Sequence, residues 1–261
     1  MPLYFQSLRS GSTGNCLLVR TDKTTILLDC GLGTMRRTRE ILSQSVKNPH
    51  EIDMILVSHL HSDHISHYPM RVIADEGIKL KVHKDCLNDL ECRHFRNNGM
   101  ENLKVECYET KKFQVGDLVI EPFQIPHNPC FITCGFVIYH NDKKIVVATD
   151  FRDAKDLEQY FIDADFIFVE SNHDLELLRK FFNPNSLYHM PNPKTAKFVC
   201  DVIKKSRKAP ALVTLGHLSN ERNTPQIAIK EIRQAFKQTG IDDNLKVVTA
   251  PPHETSEIIE I

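Results

Sequence analysis

Residues 59–64 read His-Leu-His-Ser-Asp-His and follow, after Ser58, the apolar run Met54-Ile55-Leu56-Val57. In an extended chain alternate side chains point the same way, so His59 and His61 leave the end of a strand with their imidazoles side by side. Two neutral imidazoles supply half of a tetrahedral metal shell. Asp63 and His64, adjacent in sequence, are placed for a turn to aim at a second position close by, so the spacing suggests two metals. In a chain with 13 histidines among 261 residues, an isolated His-x-His pair is ordinarily solvated or satisfied in a core. Four ligand-type residues in six, directly after a buried-looking strand, reverse that expectation. The run also constrains the fold: six residues cannot complete two sites, so further ligands must arrive on loops at the ends of other strands.

The remainder is ordinary for a globular chain, with 41% hydrophobic and 26% charged residues. No run approaches the roughly 18 apolar residues of a membrane span, and residues 1–9 lack a charged region followed by an apolar block, which points to a mature cytoplasmic protein with no membrane partner. The eight cysteines contain no Cys-x-x-Cys pair and are expected as reduced thiols. Cys130 and Cys134 have no second pair nearby to complete a metal shell. A net charge of −1 argues against an electrostatically driven nucleic-acid binder. The cluster Lys204-Lys205-Ser206-Arg207-Lys208 reads as the solvated end of a helix.

Apolar patterning gives a hairpin over residues 16–31 turning at Asp22-Lys23, with Cys16 and Cys30 roughly opposite one another as free thiols. Helices are expected over 34–45, 68–75 and 87–97, with a strand at 80–83. Strands follow at 118–120, 135–139 and 144–148, the last two joined by an Asn141-Asp142 turn. Helices at 157–161, 175–181, 194–206 and 225–238 then interleave with strands at 166–169, 211–215 and 246–248, and a strand at 257–261 closes the chain. This order suits two sheets packed together with helices outside. With no linker, low-complexity segment or short-period repeat, residues 1–261 read as a single domain.

Three residues of ligand type sit just past later apolar strands: His127 after Phe123-Gln124-Ile125, Asp150 after Val146-Val147-Ala148-Thr149, and His217 after Leu212-Val213-Thr214-Leu215-Gly216. The ordered set His59-x-His61-x-Asp63-His64, His127, Asp150 and His217 resembles the metallo-β-lactamase superfamily. Its fold is α+β, a four-layer αββα sandwich of two mixed sheets with helices outside and ligands on loops at one edge. The stretches Ser10-Gly11-Ser12-Thr13-Gly14-Asn15-Cys16, Leu27-Leu28-Asp29-Cys30-Gly31, Val169-Glu170-Ser171-Asn172-His173-Asp174 and Gly216-His217-Leu218-Ser219-Asn220 resemble the WalJ (YycJ) branch, which is similar to metal-dependent nucleases and phosphodiesterases.

The resemblance implies that His59, His61 and His127 hold one divalent metal, that Asp63, His64 and His217 hold a second, and that Asp150 bridges them. It implies a bridging hydroxide as nucleophile, oriented by Asp63, and a phosphodiester substrate, nucleic acid included. Zinc suits the donor set, and manganese or iron also fit it. Residues 187–193, Leu-Tyr-His-Met-Pro-Asn-Pro, depart from the branch pattern of basic residues after a Tyr-Pro turn. Only 67 positions separate Asp150 from His217, too few for the large inserted domain with which some superfamily nucleases grip nucleic acid.

Secondary candidates are His173, to position substrate or protonate a leaving oxygen, against a local polar role beside a helix cap at Asn172 or Asp174. His189, Ser12 and Asn220 are candidate substrate contacts. The loop at 10–14 lacks the Lys-Ser/Thr ending of a phosphate loop and runs into a strand, so it reads as a tight glycine turn. The chain is therefore expected to be a binuclear metallohydrolase cutting phosphodiesters. The alternatives are a hydrolase of lactone, thioester or amide carbonyls, and a non-catalytic metal-binding regulatory protein. Oligomeric state is not legible.

Overall fold

A computed structural model describes residues 2–92, 102–127 and 132–261. Two seven-stranded mixed sheets face each other. The first contains β1 (Tyr4–Arg9), β2 (Cys16–Arg20), β3 (Thr25–Leu28), β4 (Met54–Leu56), β5 (Lys79–His83), β6 (Lys104–Tyr108) and, at its other edge, β14 (Ile259–Glu260), in the order β14-β1-β2-β3-β4-β5-β6. The second contains β7 (Phe113–Val115), β8 (Leu118–Gln124), β9 (Cys134–His140), β10 (Lys143–Ala148), β11 (Phe166–Glu170), β12 (Leu212–Gly216) and β13 (Lys246–Thr249), in the order β13-β12-β11-β10-β9-β8-β7. Helices α1 (Met35–Ser45) and α2 (His67–Asp75) pack on the outer face of the first sheet, and α6 (Asn192–Lys205) and α7 (Pro225–Thr239) on that of the second. Short helices α3 (Leu87–Leu90), α4 (Glu158–Phe161) and α5 (Leu175–Lys180) complete the set. This is the expected αββα sandwich.

The local chemistry explains the elements. Thr34 caps α1 by accepting the Arg37 N–H, and Thr38, Ile41 and Leu42 form its buried stripe at helical spacing. Thr224 caps α7, Pro225 opens it, and Gly240 ends it in the left-handed region at φ 71°. Strands β3, β11 and β12 are buried along their whole length, which is why they read as continuous apolar runs. Between the sheets, Phe5 of β1 packs on Phe166 and Phe168 of β11 with ring centroids 4.6 and 5.4 Å apart. Burial of each such ring contributes about 1.5–3 kcal/mol.

The sequence reading differs from the structure in several places. β1 was not anticipated, because Gln6, Ser7 and Arg9 mask its alternation. The closing strand pairs only over Ile259–Glu260. Leu17 opposes Leu28, so the pairing lies one residue away from a Cys16–Cys30 register, and both thiols are free. The far end of the helix expected to residue 97, His94 and Cys130 lie outside the described residues. Among the described residues no helix is long and apolar enough to cross a membrane.

Topology decides where chemistry collects. β3 and β4 are parallel, as are β10, β11 and β12, and β8 runs with β10 because both are antiparallel to β9 between them. Their C-terminal ends therefore deliver Asp29, His59, His127, Asp150, Glu170 and His217 to one edge of the sandwich. There the chain packs backbone against backbone: the Asn15 N–H donates to the Asp63 carbonyl at 2.7 Å, and the Cys30 N–H to the His64 carbonyl at 2.8 Å. Gly31 lies in this contact, and a Cβ on it would fall 1.8 Å from the Asp63 carbonyl oxygen. Gly31→Ala is expected to displace the Asp63–His64 turn and cost about 1–3 kcal/mol or more. Denaturant unfolding checks this, and unchanged stability would contradict so close an approach.

Candidate metal centre

The turn bearing the opening run is closed by the His64 and Ile65 N–H groups, which donate to the His61 carbonyl at 2.9 and 3.0 Å. His59 Nε2 and His61 Nδ1 lie 2.9 Å apart, and His127 Nε2 lies 3.2 Å from His61 Nδ1. On the other side His64 Nε2 is 3.6 Å and His217 Nε2 3.5 Å from Asp63 Oδ2. Asp150 stands between the two triads: Oδ2 is 3.0 Å from His64 Nε2, and Oδ1 is 3.6 Å from His217 Nε2 and 3.8 Å from His127 Nε2. All seven residues that the sequence singled out as ligands thus converge.

The inward-facing lone pairs are set by the partners behind the rings. Carbonyls and carboxylates only accept, so the nitrogen facing one must carry the proton. His127 Nδ1 donates to the Tyr188 carbonyl at 2.9 Å, His64 Nδ1 to Asp29 Oδ2 at 2.7 Å, and His217 Nδ1 to Glu170 Oε1 at 2.9 Å. Ser58 Oγ donates to Asp29 Oδ2 at 2.8 Å and so accepts from His59 Nδ1 at 3.0 Å. Every Nε2 among these four histidines is left aimed at the centre. Glu170 is fully buried; besides His217 it accepts from His189 Nδ1 at 2.7 Å and from the Phe151 and Met190 N–H groups at 3.1 and 3.2 Å.

Three of these positions store backbone strain. Asp29, Asp150 and His217 sit in the left-handed region at φ 62°, 61° and 53°. Asp and His enter this region more readily than most side chains, yet each non-glycine residue held there still costs on the order of 1–3 kcal/mol. Ser10 Oγ holds the His217 N–H at 2.8 Å, and Asn172 Nδ2 holds its carbonyl at 2.9 Å.

Protonation follows the same division. Burial keeps His59 well below the usual imidazole range, brings His61 down to about 4 and lowers His127, with neighbouring imidazoles adding to the effect on His59 and His61. Burial also opposes a charge on His64 and His217, but Asp150 and the other carboxylates outweigh it, raising His64 and taking His217 up to about 10. Burial works against the charges on Asp63 and Asp150 too, and the imidazoles of His64 and His217 prevail, leaving both carboxyls below their usual range. An edge that draws protons onto two buried imidazoles is one where positive charge is stabilised. Asp150 Oδ2 moreover is buried and accepts no hydrogen bond despite the nearby His64. Converging nitrogen and carboxylate donors with an acceptor to spare fit a divalent metal.

The remaining candidates divide. His189 and Ser12 line a cavity of about 300 Å³ over the centre. Asn220 is exposed and outside that lining, where the same loop contributes Ser219 and Arg222. His173 is buried and also outside the lining. Its backbone bridges Pro191, its ring faces the Asn172 amide at 3.2 Å, and burial lowers it to about 4. Asp174 caps α5 by accepting the Glu176 and Leu177 N–H groups. Reasoning from sequence gave no role to Asp29, Ser58 or Glu170. Asp29 and Glu170 each follow an apolar strand as Asp150 does, and that rule would have flagged them.

A two-sheet sandwich with such a His/Asp edge defines a metal-binding hydrolase class. Residues 24–211 match the family model described as "Beta-lactamase superfamily domain". The chain belongs to that superfamily. It is 31% identical over 255 residues to exodeoxyribonuclease YycJ of Bacillus anthracis, covering 92% of this chain and 91% of that one. It is 29% identical over 276 aligned positions to exodeoxyribonuclease WalJ of Streptococcus pneumoniae, covering 98% and 97%. Among solved structures, the metallo-β-lactamase fold protein YhfI from Bacillus subtilis superposes with a TM-score of 0.77 over the whole of both chains at 14% identity, a likeness of fold.

Glu170→Gln and Asp29→Asn keep shape while removing the charge that orients His217 and His64. Each is expected to weaken metal binding about 10- to 100-fold. Calorimetric titration checks this, and wild-type affinity in both would contradict the assignment.

Proposed function

We propose that this chain is a binuclear, metal-dependent phosphodiesterase acting on DNA ends, with residues 1–261 forming one catalytic domain. The observation that carries the reading is the pair of donor triads sharing Asp150. The names of YycJ and WalJ support the choice of DNA. On this reading His59, His61 and His127 hold one metal, Asp63, His64 and His217 the other, and Asp150 both, with zinc favoured by the histidine-rich shell. Two such ions activate water and neutralise charge on the phosphoryl oxygens.

The chain's own residues complete the chemistry. Asp63, held in its ionised form and part of the cavity lining, orients the attacking water. His189 replaces His173 as the proton donor. Its Nδ1 is committed to Glu170, which leaves Nε2 as the other ring nitrogen of a residue lining the cavity. Burial lowers its basicity, and Glu170 and Asp150 raise it above the usual imidazole range; on this reading the ring gives a proton to the leaving oxygen. Ser12, which also lines the cavity, is a substrate contact.

The test is turnover of metal-loaded protein and Asp150→Ala on bis(p-nitrophenyl) phosphate, single-stranded and duplex DNA, RNA and a lactone. Phosphodiester cleavage that falls at least about a thousandfold in the variant is expected, the loss of several kcal/mol of transition-state stabilisation. Lactone-only turnover, no turnover at all or a fully active variant would sink the proposal. Separately, His189→Ala is expected to lower kcat about 10²- to 10⁴-fold on DNA, whose leaving alkoxide needs a proton. On bis(p-nitrophenyl) phosphate, whose leaving group does not, the loss is much smaller. Equal losses on both would deny His189 the donor role.

A further inference from the structure

Histidines and carboxylates apart, the cavity over the metal centre is walled by amides, hydroxyls and one guanidinium. Among the described lining residues Arg222 is the one permanent cation. Its side chain is only 12% exposed. The backbone is fixed where it stands, the Arg222 N–H on Ser219 Oγ at 3.3 Å and its carbonyl accepting the Asp174 N–H at 2.8 Å. Nη1 is tethered to the Phe181 carbonyl at 3.3 Å and to Glu221 Oε2 at 2.7 Å. Nε is buried and donates to no described residue. Nη2 makes no bond to a described residue, so both it and Nε are unspent in a side chain that lines the cavity. Glu221 is 72% exposed, so water screens much of its compensation.

We infer that Arg222 receives a second phosphate of the substrate, next to the one being cleaved. The inference rests on the phosphodiesterase reading and deepens it by naming what the one guanidinium of the lining binds. The scissile phosphate belongs over the two triads, where Asp63 and Asp150 repel any anion that lacks a metal to meet it. A further anionic group has one permanent charge to find, and a planar guanidinium with unspent donors matches phosphate oxygens geometrically as well as electrostatically. The cavity stands at the small end of ligand pockets, sized for one nucleotide rather than a duplex. With a net charge of −1 the chain carries no general excess of cations, so a phosphate held here is a local contact, not part of a broad basic track. A purely structural arginine would tie its loop to Phe181 and leave ligand preference untouched.

The test measures binding of thymidine 3′,5′-bisphosphate and of the two thymidine monophosphates to metal-loaded protein by calorimetry, in wild type, Arg222→Gln and Arg222→Lys, with thermal melts to confirm folding. Wild type is expected to prefer the bisphosphate about 10- to 100-fold. R222Q is expected to bring that preference within about threefold, and R222K to keep part of it, since charge survives without the fork. Cleavage of thymidine dinucleotide with and without a terminal phosphate, and of the trinucleotide, separates the two sources. A gain from the terminal group assigns a monoester to Arg222, a gain from the trinucleotide alone assigns a backbone diester, and either supports the inference. No preference in wild type, or one that R222Q retains, overturns it. Failure to cleave any of these, or bis(p-nitrophenyl) phosphate, overturns the phosphodiesterase reading instead.

Discussion

The centre depends on two buried carboxylates that face it only through other residues. Glu170 accepts from His189, His217 and two backbone N–H groups, and Asp29 holds His64 directly and His59 through Ser58. A buried carboxylate is costly unless its lone pairs are satisfied, and these bonds satisfy them. Each charge fixes which ring nitrogen bears the proton, and with it the direction of the lone pair. Glu170 also grips His189, so one carboxylate orients two imidazoles that line the cavity.

Strand ends supply the positions and strain completes them. Parallel pairing sends the chain out of β3, β10 and β12 toward the same edge, and left-handed residues at Asp29, Asp150 and His217 turn it sharply into the site. The extended interior of the sandwich anchors those turns, so local strain is offset by packing such as Phe5 against Phe166 and Phe168. The close approach of Gly31 to the Asp63–His64 peptide then joins the hairpin of the first sheet to the metal run.

Much of this was legible in the sequence because metal binding restricts residue types so sharply. The layer order followed from apolar patterning, and His59, His61, Asp63, His64, His127, Asp150 and His217 stood out by type and placement after strands. Supporting residues were harder to see. A carboxylate after an apolar run reads alike whether it meets a metal or a histidine, and the neighbour across the edge that decides between them is a property of topology. Loops lack periodicity, so nothing in the sequence separates Asn220, which stands outside the cavity lining, from Arg222 two residues later, which is part of it. His173 follows a strand as the candidate ligands do, but its backbone bridges Pro191 and its buried ring stands outside the cavity lining, which strand-end position alone does not reveal.

The central claim is that two donor triads share Asp150 around a pair of metal ions. Anomalous diffraction from crystals of zinc-loaded protein tests it most directly. The account predicts two peaks about 3.5–4 Å apart, one among His59, His61 and His127, the other among Asp63, His64 and His217, with Asp150 touching both. One peak, or peaks away from Asp150 in crystals shown to contain zinc, would contradict it.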